Sequence, residues 1–166
     1  MNLLFKSFKT GDNRGFTLIE LAIVVTILGI LASAVMPLAH IGATRAKELE
    51  LKRNLRIIRM AMDSYKKAYD DKRIEAEIGR SGYPLSLKAL VEGVVDVKDP
   101  EGNKMYFLRR LPRDPMNNNE FLPPEETWET RSYESEPDNF TGGDDVYDIR
   151  STSEDIALND TPYKEW

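Results

Sequence analysis

Arg14-Gly15-Phe16-Thr17-Leu18-Ile19-Glu20-Leu21 heads an apolar run that continues to about Ala39, and the reading of this stretch decides the fold. From Leu21 to Ala39, nineteen residues carry no formal charge. At about 1.5 Å of rise per residue, a helix of that length covers about 29 Å, the thickness of a bilayer's hydrocarbon core. The segment is read as membrane-embedded. Glu20, one place before the uncharged run, is the exception. A carboxylate pushed toward the bilayer interior costs about 3 kcal/mol unless it is paired, reaches the interface or is neutralised. Read alone, Glu20 either sits at headgroup level without a task or has a partner.

An ordinary secretory signal peptide is the competing reading of the same run. The run is longer than the usual apolar core of about 7–15 residues. Ala32-Ser33-Ala34 could pass as a small-x-small cleavage site, but Val35, Met36 and Leu38 follow it where a polar mature start is needed.

The 166-residue chain has room for one modest soluble domain once the first third is committed to leader, span and stem. There is no cysteine, so disulfides, thiolate metal ligands and thiol nucleophiles are all excluded. The net charge of -5 is unevenly spread. Residues 1–44 hold three basic and two acidic side chains, residues 45–95 twelve and eight, and residues 96–166 eight and eighteen. A basic stem thus precedes an acidic head. This asymmetry suggests that the head of one copy lies near the stem of another in an assembly weakened by salt, the alternative being two solvated surfaces.

Arg14-Gly15 before Phe16-Thr17-Leu18-Ile19-Glu20-Leu21, after a short polar leader with Lys6 and Lys9, resembles the processing site of type IV prepilins and type II secretion pseudopilins. The resemblance implies a leader over residues 1–15, cut by a membrane prepilin peptidase between Gly15 and Phe16, with Phe16 then N-methylated. It also implies a partner for Glu20, the freed amino terminus of a neighbouring subunit's Phe16. At about 4 Å and an effective dielectric near 20 such a pair is attracted by ~4 kcal/mol before desolvation is subtracted.

The implied fold is α+β and type IV pilin-like. One long N-terminal helix has a transmembrane and assembly half over 16–39 and an amphipathic half over 40–70, and packs on a small antiparallel β-sheet in a head over 71–166. The implied place is the bacterial inner membrane, single-pass, with the head in the periplasm. Charge counting alone argues the reverse orientation, because Arg45, Lys47, Lys52, Arg53, Arg56 and Arg59 follow the span while only Lys6, Lys9 and Arg14 precede it.

Phe16 to about Asp70 reads as one helix with two weak points, Gly29 and Pro37. Both resemble the pilin pattern, in which the stretch between them loses helicity inside the fibre; a simple kink tolerated in the bilayer is the alternative. Past the membrane, Leu51, Leu55, Ile58, Met62, Tyr65 and Tyr69 form one apolar seam at helical spacing, which must bury against the C-terminal half. Asp70 to Gly82 ends the helix in a loop. Ser86 is the expected N-cap of a short helix through Leu87, Leu90 and Val91 that stops near Gly93. Thr130 to Glu134 and Val146 to Arg150 read as antiparallel strands, separated by a turn-rich loop with Pro137-Asp138-Asn139 and Gly142-Gly143-Asp144-Asp145.

Tyr83-Pro84 with Leu87, Leu90 and Val91, and then Leu111-Pro112-Arg113-Asp114-Pro115, resemble the major pseudopilins of type II secretion. The match frays afterwards: that subfamily continues Trp-Gly-Asn-Pro-Tyr, whereas this chain has Met116-Asn117-Asn118-Asn119-Glu120-Phe121. The resemblance implies a structural subunit polymerising into a periplasmic pseudopilus, with minor pseudopilins, the inner-membrane secretion platform and membrane lipid as partners. The alternative is a pilin of a surface fibre for adhesion, motility or DNA uptake. A membrane-tethered binding protein that never polymerises is the third class. The acidic head argues against nucleic acid as a partner.

The resemblance also implies calcium in the C-terminal loop, and clustered carboxylates suit that hard cation. Asp138, Asp144, Asp145 and Asp148 are close in sequence, with Asp138 and Asp148 as the candidate ligands. Gly142-Gly143 and Asp148-Ile149 fit the family's pattern; Asn139 stands where it has glycine, and Arg131 where it has a second aspartate. A solvated acidic loop is the alternative. Catalysis is not expected. His40 is the only histidine and lies at the membrane edge, so base-assisted nucleophiles have little to work with.

Overall fold

The computed structural model describes residues 15–75, 79–136 and 138–166. The leader with Lys6, Lys9 and Arg14, the loop position Glu77, and Pro137 lie outside the described residues, as do the side chains of Ala34, Met36 and Pro37. The chain divides into two compact units, one ending at His40 and the other spanning Ile41–Trp166.

Helix α1 spans Leu18–Asp70, two residues later at its start than the apolar pattern suggests. It is continuous across both Gly29 and Pro37. In the first unit its large side chains are exposed, from Leu18 at 86 % to Leu38 at 68 %. Among the described residues α1 is the one helix long and apolar enough to cross a membrane.

In the second unit the expected seam is buried. Leu51, Leu55, Ile58, Met62 and Tyr65 lie in the core with Ala61 and Ala68, and Tyr69 packs at its edge. Leu90, Trp128, Val146, Ile149 and Tyr163 close over them from the C-terminal half. Helix α2 is shorter than expected, Ala89–Glu92. Its N-cap position is Lys88, without a side-chain cap, because a tighter turn comes first: Ala89 N donates to Ser86 O and Leu90 N to Leu87 O. Gly93 ends it at φ 73, where a Cβ would stand 2.8 Å from Met105 O.

The expected single sheet is two separate hairpin-like pairs. Strands β1 (Val94–Val95) and β2 (Lys104–Met105) pair antiparallel, a pairing the sequence reading missed. Strands β3 (Trp128–Arg131) and β4 (Asp148–Ser151) form the second pair, with Trp128 opposite Ser151 and Arg131 opposite Asp148. Their limits are Trp128–Arg131 in place of 130–134 and Asp148–Ser151 in place of 146–150. Between the two pairs lie Pro112, Pro115, Pro123 and Pro124, which donate no backbone hydrogen bond and so cannot continue a ladder.

The Leu111–Pro115 connector is tied from two directions: Asn54 Nδ2 on α1 donates to Arg113 O at 3.0 Å, and Trp128 Nε1 donates to Pro112 O at 2.9 Å.

Candidate functional site

Gly15, Phe16 and Thr17 are non-helical and exposed, with Phe16 84 % exposed, immediately ahead of α1. The helix begins there because Thr17 and Glu20 build a reciprocal cap. Thr17 Oγ1 accepts from Glu20 N at 3.2 Å, while Thr17 N donates to Glu20 Oε2 at 3.2 Å. The Thr17 hydroxyl also lies 3.2 Å from Glu20 Oε2. Ser/Thr-x-x-Glu in this arrangement satisfies two orphan amides, and a carboxylate in the first turn is favoured by the helix dipole. The charge that looked unexplained therefore has a local answer within one chain. Its signal, threonine three places before glutamate at the edge of an apolar run, stands in the sequence.

The apolar half of α1 hides its few polar groups. Thr26 Oγ1 donates to Ala22 O and Ser33 Oγ to Ile30 O, each at 2.7 Å, so neither hydroxyl needs water. Gly29 leaves open space, with nothing within 4 Å of where a Cβ would stand. Such a helix, apolar all round and uncovered, needs lipid or other copies of itself.

In the head, the acidic residues expected to gather around calcium are dispersed among other partners. Asp148 Oδ1 accepts from Arg59 Nε at 2.8 Å, and its Oδ2 lies 3.7 Å from Arg131 Nη2. Asp145 is buried and accepts from Ser132 Oγ at 2.7 Å, from Tyr133 N at 2.8 Å, and from Ser81 Oγ. Burial pushes the Asp145 carboxyl up, but these donors outweigh it and hold it below the usual aspartate range. Asp138 and Asp144 are exposed.

Among the described residues no three His, Asp or Glu side chains are placed to hold a metal ion. The local donor set does not fit calcium either, since Asp148 with Arg59 and Arg131 sums to a positive charge. At about 4 Å and an effective dielectric near 20, each guanidinium repels a divalent ion by ~8 kcal/mol, twice the value for two unit charges. Of the candidate pair, Asp138 is exposed in the loop, whereas Asp148 is engaged in ion pairs, and the sequence signal for this is Arg131 itself.

These features define a class of protein first: an exposed, non-helical segment at Gly15-Phe16-Thr17, a capped apolar helix, and a small head packed on that helix's amphipathic continuation. The prokaryotic N-terminal methylation motif matches residues 11–36. The type II secretion system core protein G of Pseudomonas aeruginosa is 35 % identical over 111 residues, covering 64 % of this chain and 70 % of that protein. The protein of the same name from Vibrio cholerae is 31 % identical, over 70 % of this chain and 75 % of its own length. The type IV major pilin protein PilA of Myxococcus xanthus is 42 % identical over 87 residues, covering 46 % of this chain and 39 % of that protein. No solved structure matches. The chain belongs to the family of type II secretion system core protein G.

Proposed function

We propose that the protein is a structural pseudopilin that polymerises through the apolar half of α1 into a periplasmic pseudopilus driving type II secretion. The observation that carries this reading is the uncovered apolar helix, opened by the Thr17–Glu20 cap directly after Gly15-Phe16. On this reading residues 1–15 are removed by the prepilin peptidase between Gly15 and Phe16, and Phe16 is N-methylated. Residues 16–39 anchor the precursor in the inner membrane, residues 40–70 form the stem, and residues 71–166 form a periplasmic head.

Inside the polymer, Glu20 exchanges its local cap for the free amine of a neighbour's Phe16, and Gly29 and Pro37 mark the stretch of α1 that yields during packing. Minor pseudopilins and the inner-membrane platform are the remaining partners. The role is mechanical, with no catalysis and no nucleic-acid ligand.

The test is deletion of the gene with secreted enzymes, surface fibres and transformation assayed in parallel, alongside mass spectrometry of the mature chain. Loss of secretion with a mature chain beginning at methylated Phe16 is expected. Loss of surface fibres or DNA uptake with secretion intact would instead favour the pilin reading, the one toward which the similarity to the Myxococcus xanthus pilin points. A mature chain beginning beyond Pro37 would remove both.

A further inference from the structure

We infer that Arg131 is a built-in cation, and that the head closes its C-terminal loop with guanidinium groups where the family it belongs to is expected to use calcium. The inference concerns the head alone and stands whether or not the chain polymerises.

The β3–β4 register places Arg131 directly opposite Asp148. Asp148 is thereby caught between two arginines from different elements, Arg131 of β3 and Arg59 of α1. Arg59 extends the clamp, donating from Nη2 to Ile149 O at 3.0 Å and to Trp166 O at 2.9 Å. A metal approaching this carboxylate would meet a guanidinium group beside each of its oxygens.

Arg131 is itself built in. Its side chain is only 15 % exposed, and its buried Nε finds no hydrogen-bond acceptor. Its charge lies instead over two aromatic faces, 5.0 Å from the Tyr147 ring and 5.7 Å from the Phe140 ring. Ring faces attract a cation that is partly desolvated, so the loop's own aromatics hold Arg131 in place. Backbone hydrogen bonds close the same loop beside these contacts: Ser132 N donates to Thr141 O at 3.0 Å, and Tyr147 N to Arg131 O at 2.8 Å.

Even the second glycine of the pair that fits a metal loop has another cause. A Cβ on Gly143 would stand 2.8 Å from Ser132 Cβ, so close packing of the loop against the end of β3 demands glycine there.

The experiment uses the full-length mature chain in detergent micelles. Thermal unfolding followed by circular dichroism in millimolar calcium and in excess EGTA should give midpoints within about 1 °C, since a ligand far above its Kd would separate them by several degrees. Calorimetric titration of calcium chloride into the wild-type chain should give no binding isotherm. Arg131→Met, which keeps the stem over the rings and removes the charge, should lower the midpoint by about 5 °C in both buffers. A calcium-dependent rise in the wild-type midpoint, or saturable calcium binding, overturns the inference. So does an Arg131→Met chain that melts with the wild type in EGTA. If that variant does not fold at all, the wild-type titration still decides.

Discussion

Asp114 Oδ2 accepts a hydrogen bond from Ser151 Oγ at 2.6 Å, which joins the proline-flanked connector to the last strand through two buried side chains. The same carboxylate accepts from Thr152 N at 3.3 Å and, through Oδ1, from Met116 N at 2.8 Å. The aspartate of Leu111-Pro112-Arg113-Asp114-Pro115 is thus a structural anchor. A buried carboxylate is tolerated only when its lone pairs are met, and the donors it meets are stranded if it is removed. Asp114→Ala should destabilise the head by about 3 kcal/mol, read as a shift in the urea midpoint with unchanged slope. Asp114→Asn, which keeps an acceptor, should cost less. Equal losses from the two changes would count against the hydrogen-bond account.

Acid should unfold the head through carboxylates that are held ionised in the fold. The Arg150 guanidinium beside Glu129, at 2.8 Å, holds its carboxyl below the usual range, and donors to Asp145 do the same against the effect of burial. Each group has a lower pKa folded than unfolded. Its contribution is therefore complete above the unfolded value, about 4 for these side chains, and is lost as pH falls through the folded value. The melting temperature should be level from pH 7 to about pH 5 and fall steeply below about pH 4. Asp145→Asn should lower the plateau and shallow the acid limb. A limb unchanged in Asp145→Asn would remove this residue from the explanation.

How much of this was legible before the structure depends on the range of the interaction. The 51-55-58-62-65-69 seam is local and periodic, so helix α1 and its buried face follow from spacing alone. Strands β3 and β4 are legible in kind, but their limits slide by one to three residues because pairing register is set across the sheet. The β1–β2 pair is two residues long on each side and gives no alternation to read. Arg59 meets Asp148 across 89 positions of chain, and no local pattern records that contact. The Thr17–Glu20 cap is fully local, three residues apart, and its spacing carries the same information as the charge of Glu20.

Salt should weaken the proposed polymer at the stem. Arg45, Leu49, Arg53, Arg56 and Met60 recur at steps of four, four, three and four along α1 and are exposed, with Leu49 at 65 % and Met60 at 61 %. That stripe offers basic charge beside apolar surface, and Glu134, Glu136, Asp138 and Asp144 are exposed on the head. Attraction between exposed charges is screened within about 8 Å at physiological ionic strength. Purified fibres should shorten or dissociate as sodium chloride is raised to about 1 M, where the screening length is about 3 Å. The double change Arg53→Glu with Arg56→Glu should lower fibre yield at low salt and leave the melting temperature of the unassembled chain unchanged. Fibres indifferent to both treatments would show that stem and head charges are merely solvated.

Glu20 has two separable tasks on this account, capping its own helix and pairing with a neighbour's amine, and the side-chain chemistry lets one be removed without the other. Glutamine at the third position of a capping box can still accept from the amide of Thr17, so Glu20→Gln should start α1 where the wild type does. It has no charge to offer the freed amino terminus of Phe16. Thr17→Ala does the converse, removing the hydroxyl that accepts from Glu20 N while leaving the carboxylate, at a cost of about 1 kcal/mol to the helix start. If the pairing drives assembly, Glu20→Gln should abolish fibres and secretion with helix content in micelles unchanged. Thr17→Ala should fray the first turn, seen as faster amide exchange at Leu18 to Leu21, and reduce assembly only in part. Wild-type fibre yield from Glu20→Gln would leave the cap as the only task of this residue.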